Sequence, residues 1–125
     1  MTPALFGLIL LSVGLGSCAQ LLLKLGVSST GVREAMAGGP SLQSAFTLFT
    51  SPLVIGGLAA YGASAAIWLL VLSKLDLSVA YPFVGLGFIA TLLIGWLVLG
   101  EPVGALRIGG TLLIACGVIL VARSA

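Results

Sequence analysis

The sequence predicts an all-α bundle of four transmembrane helices, on the evidence of its composition and its apolar runs. Hydrophobic residues make up 60% of the 125-residue chain and charged residues only 6%, and the mean hydropathy is +1.32. A soluble domain of this size needs far more polar surface. Runs such as FGLILLSVGLG and LLIACGVILV are apolar on every side, which favours helices over the alternating strands of a membrane β-barrel. We therefore expect an integral membrane protein.

Four stretches are long enough to cross the hydrocarbon core, which needs roughly 20 apolar residues per helix. We predict helices at about residues 4–25, 52–72, 78–99 and 103–122 of one transmembrane domain, residues 1–125. The long first loop spans residues 26–51, and its segment SLQSAFTLFT fits a short amphipathic helix at the membrane interface. The other connections are short, so the last three helices are expected to pack as sequential hairpins.

The basic residues leave the orientation in the membrane open. Lys and Arg in short loops normally decide it. Lys74 and Arg123 fall on the side of both termini, whereas Lys24, Arg33 and Arg107 fall on the opposite side. Such a balance fits a small protein with few charges, and it equally fits a chain that inserts both ways or pairs with an oppositely oriented relative.

The fourth predicted helix carries a candidate dimer face. Helices of about 10 Å diameter pack solidly in fours and leave little room for a substrate path, so a transport function predicts a dimer. Small residues at helical spacing allow two backbones to approach closely in lipid. The candidate face consists of Gly110, Leu113, Ile114, Gly117 and Val118. The alternative is that these residues pack only within the monomer.

Gln20 and Lys24 are the polar pair of the first predicted helix. They stand four residues apart and therefore share one helix face. Lys24 can simply extend its amine to the interface, and Gln20 can bond to another helix. Together, they present an amide and a positive charge, which suit an anionic or sugar-like headgroup and do not suit a cation.

Glu101 and Pro102 are predicted to start the fourth helix. A glutamate near a helix start interacts favourably with the helix dipole, and proline suits the first helical position. Arg107 lies about one turn further on. It can pair with Glu101 or contact a lipid phosphate, and we count it among the candidate binding residues.

The segment AYPFVGLGF predicts a bend in the third helix. Pro82 removes one backbone donor, and Gly85 and Gly87 loosen the following turn. Such a hinge allows the two halves of the helix to move separately, as alternating access requires. Tyr81 precedes the bend and carries a hydroxyl able to reach a ligand. The alternative is a static kink that fits the bundle.

No residue pattern points to catalysis or to a metal. The chain has no histidine and two cysteines, both in predicted spans, which disfavours a zinc site. No nucleophile–base pair is visible. We therefore expect no enzymatic activity, no cofactor and no nucleic-acid partner.

The order of these motifs resembles a known family. Four spans, AY and GLG in the third and GxxLIxxGVxxV in the fourth are similar to the small multidrug resistance proteins of the drug/metabolite transporter superfamily, which also includes EamA-like proteins. The resemblance implies an antiparallel dimer that bends at Gly85 and Gly87 and associates through the fourth helix. Drug exporters of that family carry a glutamate in the first helix, whereas this chain reads LLSVGLGSCAQLLLK there. Proton-coupled export of a cation would lack its coupling group.

A branch of that superfamily, the ArnE and ArnF type of flippase subunit for undecaprenyl-phosphate-linked aminoarabinose, resembles the chain further. The similar motifs are AQ at residues 19–20 with Lys24, WLLVL at 68–72, AYP at 80–82 and EPV at 101–103. This resemblance implies a multi-pass protein of the bacterial inner membrane that moves a polyprenyl-phosphate-linked lipid. Its partner would be a second copy or a paralogue. The alternatives are a small exporter of neutral or zwitterionic compounds and an accessory subunit of a larger membrane complex.

Overall fold

The structure, a computed structural model, describes residues 2–124 and contains helices but no strand in that range. The α-helices are α1 (Pro3–Val27), α2 (Thr30–Ala37), α3 (Leu42–Thr50), α4 (Pro52–Leu72), α5 (Leu77–Ala80), α6 (Gly85–Leu97) and α7 (Ala105–Ser124), with a 3₁₀ helix at Tyr81–Val84 between α5 and α6. Four segments are long and apolar enough to cross a membrane: α1, α4, Leu77–Leu97 and α7. The predicted all-α fold with four transmembrane helices is confirmed.

Helices α1 and α4 run antiparallel and make the most extensive helix contact among the described residues. Glycines make this closeness possible. A Cβ atom on Gly26 of α1 would lie 2.6 Å from Cγ2 of Val54, and one on Gly57 of α4 would lie 2.8 Å from Cγ of Leu23. Because lipid is as apolar as leucine, close backbone packing of this kind is what holds membrane helices together.

Two serines join α1 and α4 in the middle of this contact. The Ser12 hydroxyl donates to the Ser64 carbonyl oxygen at 2.9 Å, and the Ser64 hydroxyl donates to the Ser12 carbonyl oxygen at 2.7 Å. Gly16, one turn along α1, leaves the room that the Ser64 side chain needs, since a Cβ atom there would lie 3.1 Å from its Oγ. The bonds tie the two helices at a defined register.

The third span is interrupted where the sequence predicts a bend. After α5 the chain forms the 3₁₀ helix and then resumes as α6. Pro82 has no N–H to donate to an α-helical bond, which explains the irregular turn. Phe83 is buried within this turn, and its ring meets that of Phe6 on α1 edge-on, with centroids 6.5 Å apart. Packing on α1 thus holds the interruption in place.

The packed core lies at one end of the bundle, where α1 starts and α4 and α7 end. Its buried residues are Leu5, Ile9, Val71, Ala80, Phe83 and Val118. A cavity between the helices extends from Tyr81, near this core, to Lys24 and Glu101 at the opposite end, where α1 and α6 finish.

Helix α7 contacts the rest of the chain mainly through α6 and the 3₁₀ helix. Gly85 makes this contact close, since a Cβ atom there would lie 2.9 Å from Cγ2 of both Ile114 and Val118. The other side of α7 is exposed, with Leu113 at 75%. Val118 therefore packs within the chain, and most of the predicted dimer face lies outside.

The first loop folds into α2 and α3 and crosses no membrane core. Ser41 caps α3 in a capping box with Ser44. Three apolar side chains on α3, Leu42, Phe46 and Phe49, are exposed. They recur every three or four residues and so lie on one helix face, as the interfacial helix predicted for this loop requires.

Candidate functional site

A cavity of about 600 Å³ lies between α1, α4, the 3₁₀ helix and α6. Its volume falls within the range of about 300–1,000 Å³ that is usual for small-molecule sites. Its polar and aromatic lining residues are Ser12, Ser17, Gln20, Lys24, Tyr61, Ser64, Trp68, Tyr81, Phe88, Thr91 and Glu101. The cavity is thus a mixed surface, with charge at one end, hydroxyl groups in the middle and aromatic rings along the walls.

The predicted polar pair lines the charged end of the cavity. Gln20 and Lys24 project from consecutive turns of α1, and both side chains are exposed. Lys24 belongs to the last turn of its helix, where a cation interacts favourably with the helix dipole. An ammonium and an amide one turn apart offer hydrogen-bond donors to an anion that enters this end.

Glu101 lies at the same end, on the turn that follows α6. Its backbone N–H donates to the carbonyl oxygen of Gly95 at 2.8 Å. Gly100, with φ +69°, supplies the left-handed residue that this turn requires. The carboxylate Oε1 of Glu101 occupies the space that a side chain on Gly95 would fill. A glycine at position 95 therefore allows the carboxylate to fold over α6 and into the cavity.

Serine and threonine hydroxyl groups line the middle of the cavity, and they already donate their protons to backbone carbonyl oxygens. Besides the reciprocal pair of Ser12 and Ser64, the Ser17 hydroxyl donates to the Val13 carbonyl oxygen at 2.8 Å. The Thr91 hydroxyl donates to the Phe88 carbonyl oxygen at 3.2 Å. A hydroxyl oxygen that has donated its proton keeps lone pairs that accept. The middle of the cavity therefore suits a ligand with its own donors, such as a sugar.

Tyr81 lies near the packed core and lines the cavity as the sequence predicts. Its side chain is 63% exposed. Tyr61, Trp68 and Phe88 add aromatic surface from α4 and α6. Neither Tyr61 nor Trp68 has a site role in the sequence-based prediction, because an aromatic residue in an apolar span carries no signal of the direction it faces.

Arg107 is the one candidate binding residue that does not line this cavity. Its Nη1 donates to the carbonyl oxygen of Pro102 at 2.9 Å. The start of the last helix also differs from the prediction: α7 begins at Ala105, so Glu101 and Pro102 precede it. The physical reason is that the turn after α6 continues through Glu101, whose N–H is bonded back to Gly95.

The three predicted hinge residues have different surroundings. Pro82 lies in the 3₁₀ helix, and Gly85 packs against α7. Gly87 lines the cavity, where a Cβ atom would lie 3.4 Å from Val13 of α1. On α7, Gly110 and Gly117 have open space beside them within the chain. Whether these residues act as hinge and dimer seam stays a prediction.

No group of three or more His, Cys, Asp or Glu residues between positions 2 and 124 is placed to hold a metal ion. The ionisable side chains at the cavity are instead one lysine, one glutamate and two tyrosines. The arrangement is suited to binding a polar headgroup through ionic and hydrogen bonds.

Comparison with known families identifies the protein class. The model of the family described as "Small Multidrug Resistance protein" matches residues 30–114. The chain belongs to this family. The predicted resemblance is thereby confirmed, and the four spans make it a multi-pass inner-membrane protein of a transporter family. The matched region begins after α1, so the helix that carries Gln20 and Lys24 lies outside it.

Curated relatives cover the whole chain. A protein of Pseudomonas paraeruginosa named as a probable 4-amino-4-deoxy-L-arabinose-phosphoundecaprenol flippase subunit ArnE is 34% identical over 125 residues, 100% of both chains. A protein of the same name from Pseudomonas aeruginosa is 36% identical over the same coverage. One from Pseudomonas syringae is 43% identical over 54% of this chain and 63% of its own length. No solved structure gives a significant match.

Proposed function

We propose that this protein is a flippase subunit that moves a polyprenyl-phosphate-linked sugar between the leaflets of the inner membrane. The observation that carries the proposal is the cavity end at which Gln20 and Lys24 stand together on α1. The full-length relatives named as flippase subunits for a phosphoundecaprenol-linked sugar support the substrate class. The task requires no covalent chemistry, only binding and release of a headgroup.

The phosphate of the lipid binds at the Lys24 end. Lys24 ends the first span and lines the cavity, so its ammonium lies where a headgroup enters from the interface. Its ammonium donates charge-assisted hydrogen bonds to phosphate oxygens, and the Gln20 amide adds a neutral donor. Because both residues come from one rigid helix, their spacing does not depend on a loop.

The sugar occupies the middle of the cavity and the polyprenyl tail stays in lipid. Sugar hydroxyls donate, and the oxygens of Ser12, Ser17 and Thr91 accept. A cavity of about 600 Å³ encloses a phosphate and one sugar ring, not a long polyprenyl chain. Only the headgroup then crosses the membrane core, which suits a protein of this size.

Alternating access uses the interrupted third span. The core packs around Phe83 at one end of the bundle, and the cavity reaches Lys24 at the other. A 3₁₀ segment inside a helix often marks a hinge, so Pro82, Gly85 and Gly87 supply the bend that exposes the headgroup site first to one membrane face and then to the other. A partner chain, either a second copy or a paralogue, completes the path by packing on the face of α7 that carries Gly110 and Gly117.

Export of a small cation is the second candidate, and Glu101 is the observation in its favour. The first helix contains no carboxylate, yet the cavity receives one from the turn after α6. A cation exporter needs such a group, whereas a phosphate-binding site does not. The two functions therefore predict different ligands.

Native mass spectrometry of the protein released from gentle detergent tests the proposal. Undecaprenyl phosphate and tetraphenylphosphonium are offered separately to the wild type, to Lys24→Ala and to the control Arg33→Ala. Arg33 is an exposed cation on α2, and it does not line the cavity. We expect undecaprenyl phosphate to bind the wild type and the control alike, and Lys24→Ala to bind it at least about tenfold more weakly, because a hydrogen bond to a charged group contributes about 1.5–3 kcal/mol.

Three outcomes would contradict the proposal. Equal binding by Lys24→Ala and the wild type would show that Lys24 only extends to the interface. Binding of tetraphenylphosphonium alone would favour the exporter, and binding of neither probe, with a second protein retained in stoichiometric amount, would favour an accessory subunit. Circular dichroism of each variant checks that the helices remain folded.

A further inference from the structure

Two opposite charges share one end of the cavity. Lys24 ends α1 and Glu101 follows α6, and both side chains line the cavity on the membrane face where these two helices finish. The proposed phosphate site uses the lysine and leaves the carboxylate without a function. The carboxylate is half-buried at this end of the cavity, where a positive group on a ligand can reach it.

Contacts with neighbouring residues hold Glu101 in its position. Its backbone is held by the bond from its N–H to the Gly95 carbonyl oxygen. The next residue, Pro102, accepts a hydrogen bond from Arg107 at 2.9 Å. Gly95 is buried, and its missing side chain is what admits the carboxylate. The turn is therefore tied on both sides of Glu101, and Gly95 and Arg107 act as positioning residues.

The other polar groups that line the cavity are weaker partners for a cation than Glu101 is. The hydroxyls of Ser17 and Thr91 accept hydrogen bonds but carry no charge. Between residues 2 and 124, Glu101 is the one acidic residue that lines the cavity. A ligand group with a formal positive charge thus has a single anionic partner there.

We propose that Glu101 binds a protonated amine on the sugar, so that the site selects a zwitterionic headgroup with phosphate at Lys24 and an ammonium at Glu101. The inference rests on the proposed flippase function and adds a specificity-determining residue to it. An ammonium donates charge-assisted hydrogen bonds to the carboxylate. A hydroxyl in its place leaves the carboxylate without a counter-charge, and sites built for a polar group reject ligands that lack it.

The test compares three ligands by native mass spectrometry of the full-length protein. They are undecaprenyl phosphate, undecaprenyl phosphate linked to an aminopentose, and the same lipid linked to the pentose with a hydroxyl in place of the amine. We expect the wild type to bind the amine-bearing lipid about tenfold more tightly than its hydroxyl counterpart, a difference of about 1.4 kcal/mol. In Glu101→Gln this preference should disappear, while binding of bare undecaprenyl phosphate should not weaken, because the variant removes a negative charge that repels the phosphate.

A second variant displaces the same carboxylate while residue 101 remains a glutamate. In Gly95→Ala the new methyl group takes the space of Oε1, and the flexible Glu101 side chain has to move out of place. We expect a reduced preference for the amine, with no loss of binding of bare undecaprenyl phosphate. Gly109→Ala, on α7 with no neighbour within 4 Å of the added atom, is the matched control.

The outcomes separate this inference from the proposed function. If the wild type and Glu101→Gln favour the amine equally, Glu101 is not the amine partner and the inference is wrong. If the wild type binds both sugar-linked lipids equally, the site does not select a zwitterion. If the wild type binds none of the three lipids, the flippase proposal itself fails and this inference with it.

Discussion

The contact between α1 and α4 and the outer face of α7 use small residues in opposite ways. In the first, Gly26 and Gly57 are covered by side chains of the partner helix. On the second, Gly110 and Gly117 have no neighbour within 4 Å of a Cβ position. Both surfaces carry glycines, but only the glycines of the first are covered by side chains of the chain itself.

The difference shows which part of the fold one chain completes. Exposed leucines do not by themselves mark an interface on a membrane helix, because lipid solvates them well. Leu106, Leu113 and Leu120 of α7 are 93%, 75% and 70% exposed, and they repeat every seven residues beside open glycines. Exposed small residues at helical spacing let a second helix approach closely, which supports the dimer seam proposed for α7.

The largest expected effect is on the α1–α4 contact. In Gly57→Ala the added Cβ would lie 2.8 Å from Leu23 Cγ and 3.0 Å from the Leu23 backbone nitrogen. Because a backbone atom cannot rotate away, α1 has to shift, and the free energy of unfolding in detergent should fall by about 1–3 kcal/mol. Gly62→Ala on the same helix has open space and should not lower it. Equal stability of both variants would mean that the helices are not this close.

The next effect is on self-association through α7. Gly117→Leu should leave the free energy of unfolding of the monomer unchanged. It should weaken dimer formation at least about tenfold, or about 1.4 kcal/mol, because the added side chain keeps the second helix from approaching closely. The dimer fraction is measured while the detergent-to-protein ratio is raised. Gly62→Leu, which also adds bulk in open space, is the control. Unchanged association in the Gly117 variant would contradict the seam.

The smallest effect is on the serine pair. Ser64→Ala removes the bond from the Ser64 hydroxyl to the Ser12 carbonyl oxygen, whereas the Ser12 hydroxyl keeps its bond to the Ser64 backbone. The free energy of unfolding should fall by about 0.6 kcal/mol, the average for such bonds between membrane helices. Ser73→Ala removes a bond within one helix and serves as the reference. A loss no larger than in that reference would show that the bond between helices adds no stability.

Much of the architecture follows from local properties of the sequence. Runs of about 20 apolar residues define the spans whatever their neighbours are. Gln20 and Lys24 share a face because residues four apart always do on a helix. The interruption at Pro82 follows from the missing backbone donor. Each of these features depends on residues that lie within a few positions of each other.

The composition of the cavity could be predicted only in part. Gln20, Lys24 and Tyr81 line it as expected, whereas Ser12, Ser64 and Trp68 were not assigned to it. Helix α4 is apolar on every side, so its sequence carries no periodicity to show which face turns to α1. The rotation of such a helix is decided by packing with its neighbours.

The sequence by itself determined that the chain spans the membrane four times and presents a positive charge on its first helix. Only the tertiary structure decided where the carboxylate of Glu101 lies. In the sequence, Glu101 before a proline fits a helix start, but in the fold its carboxylate lies over Gly95 and faces the cavity with Lys24. The physical reason is steric: a carboxylate goes where a glycine leaves room, and only the folded turn brings that glycine beside it.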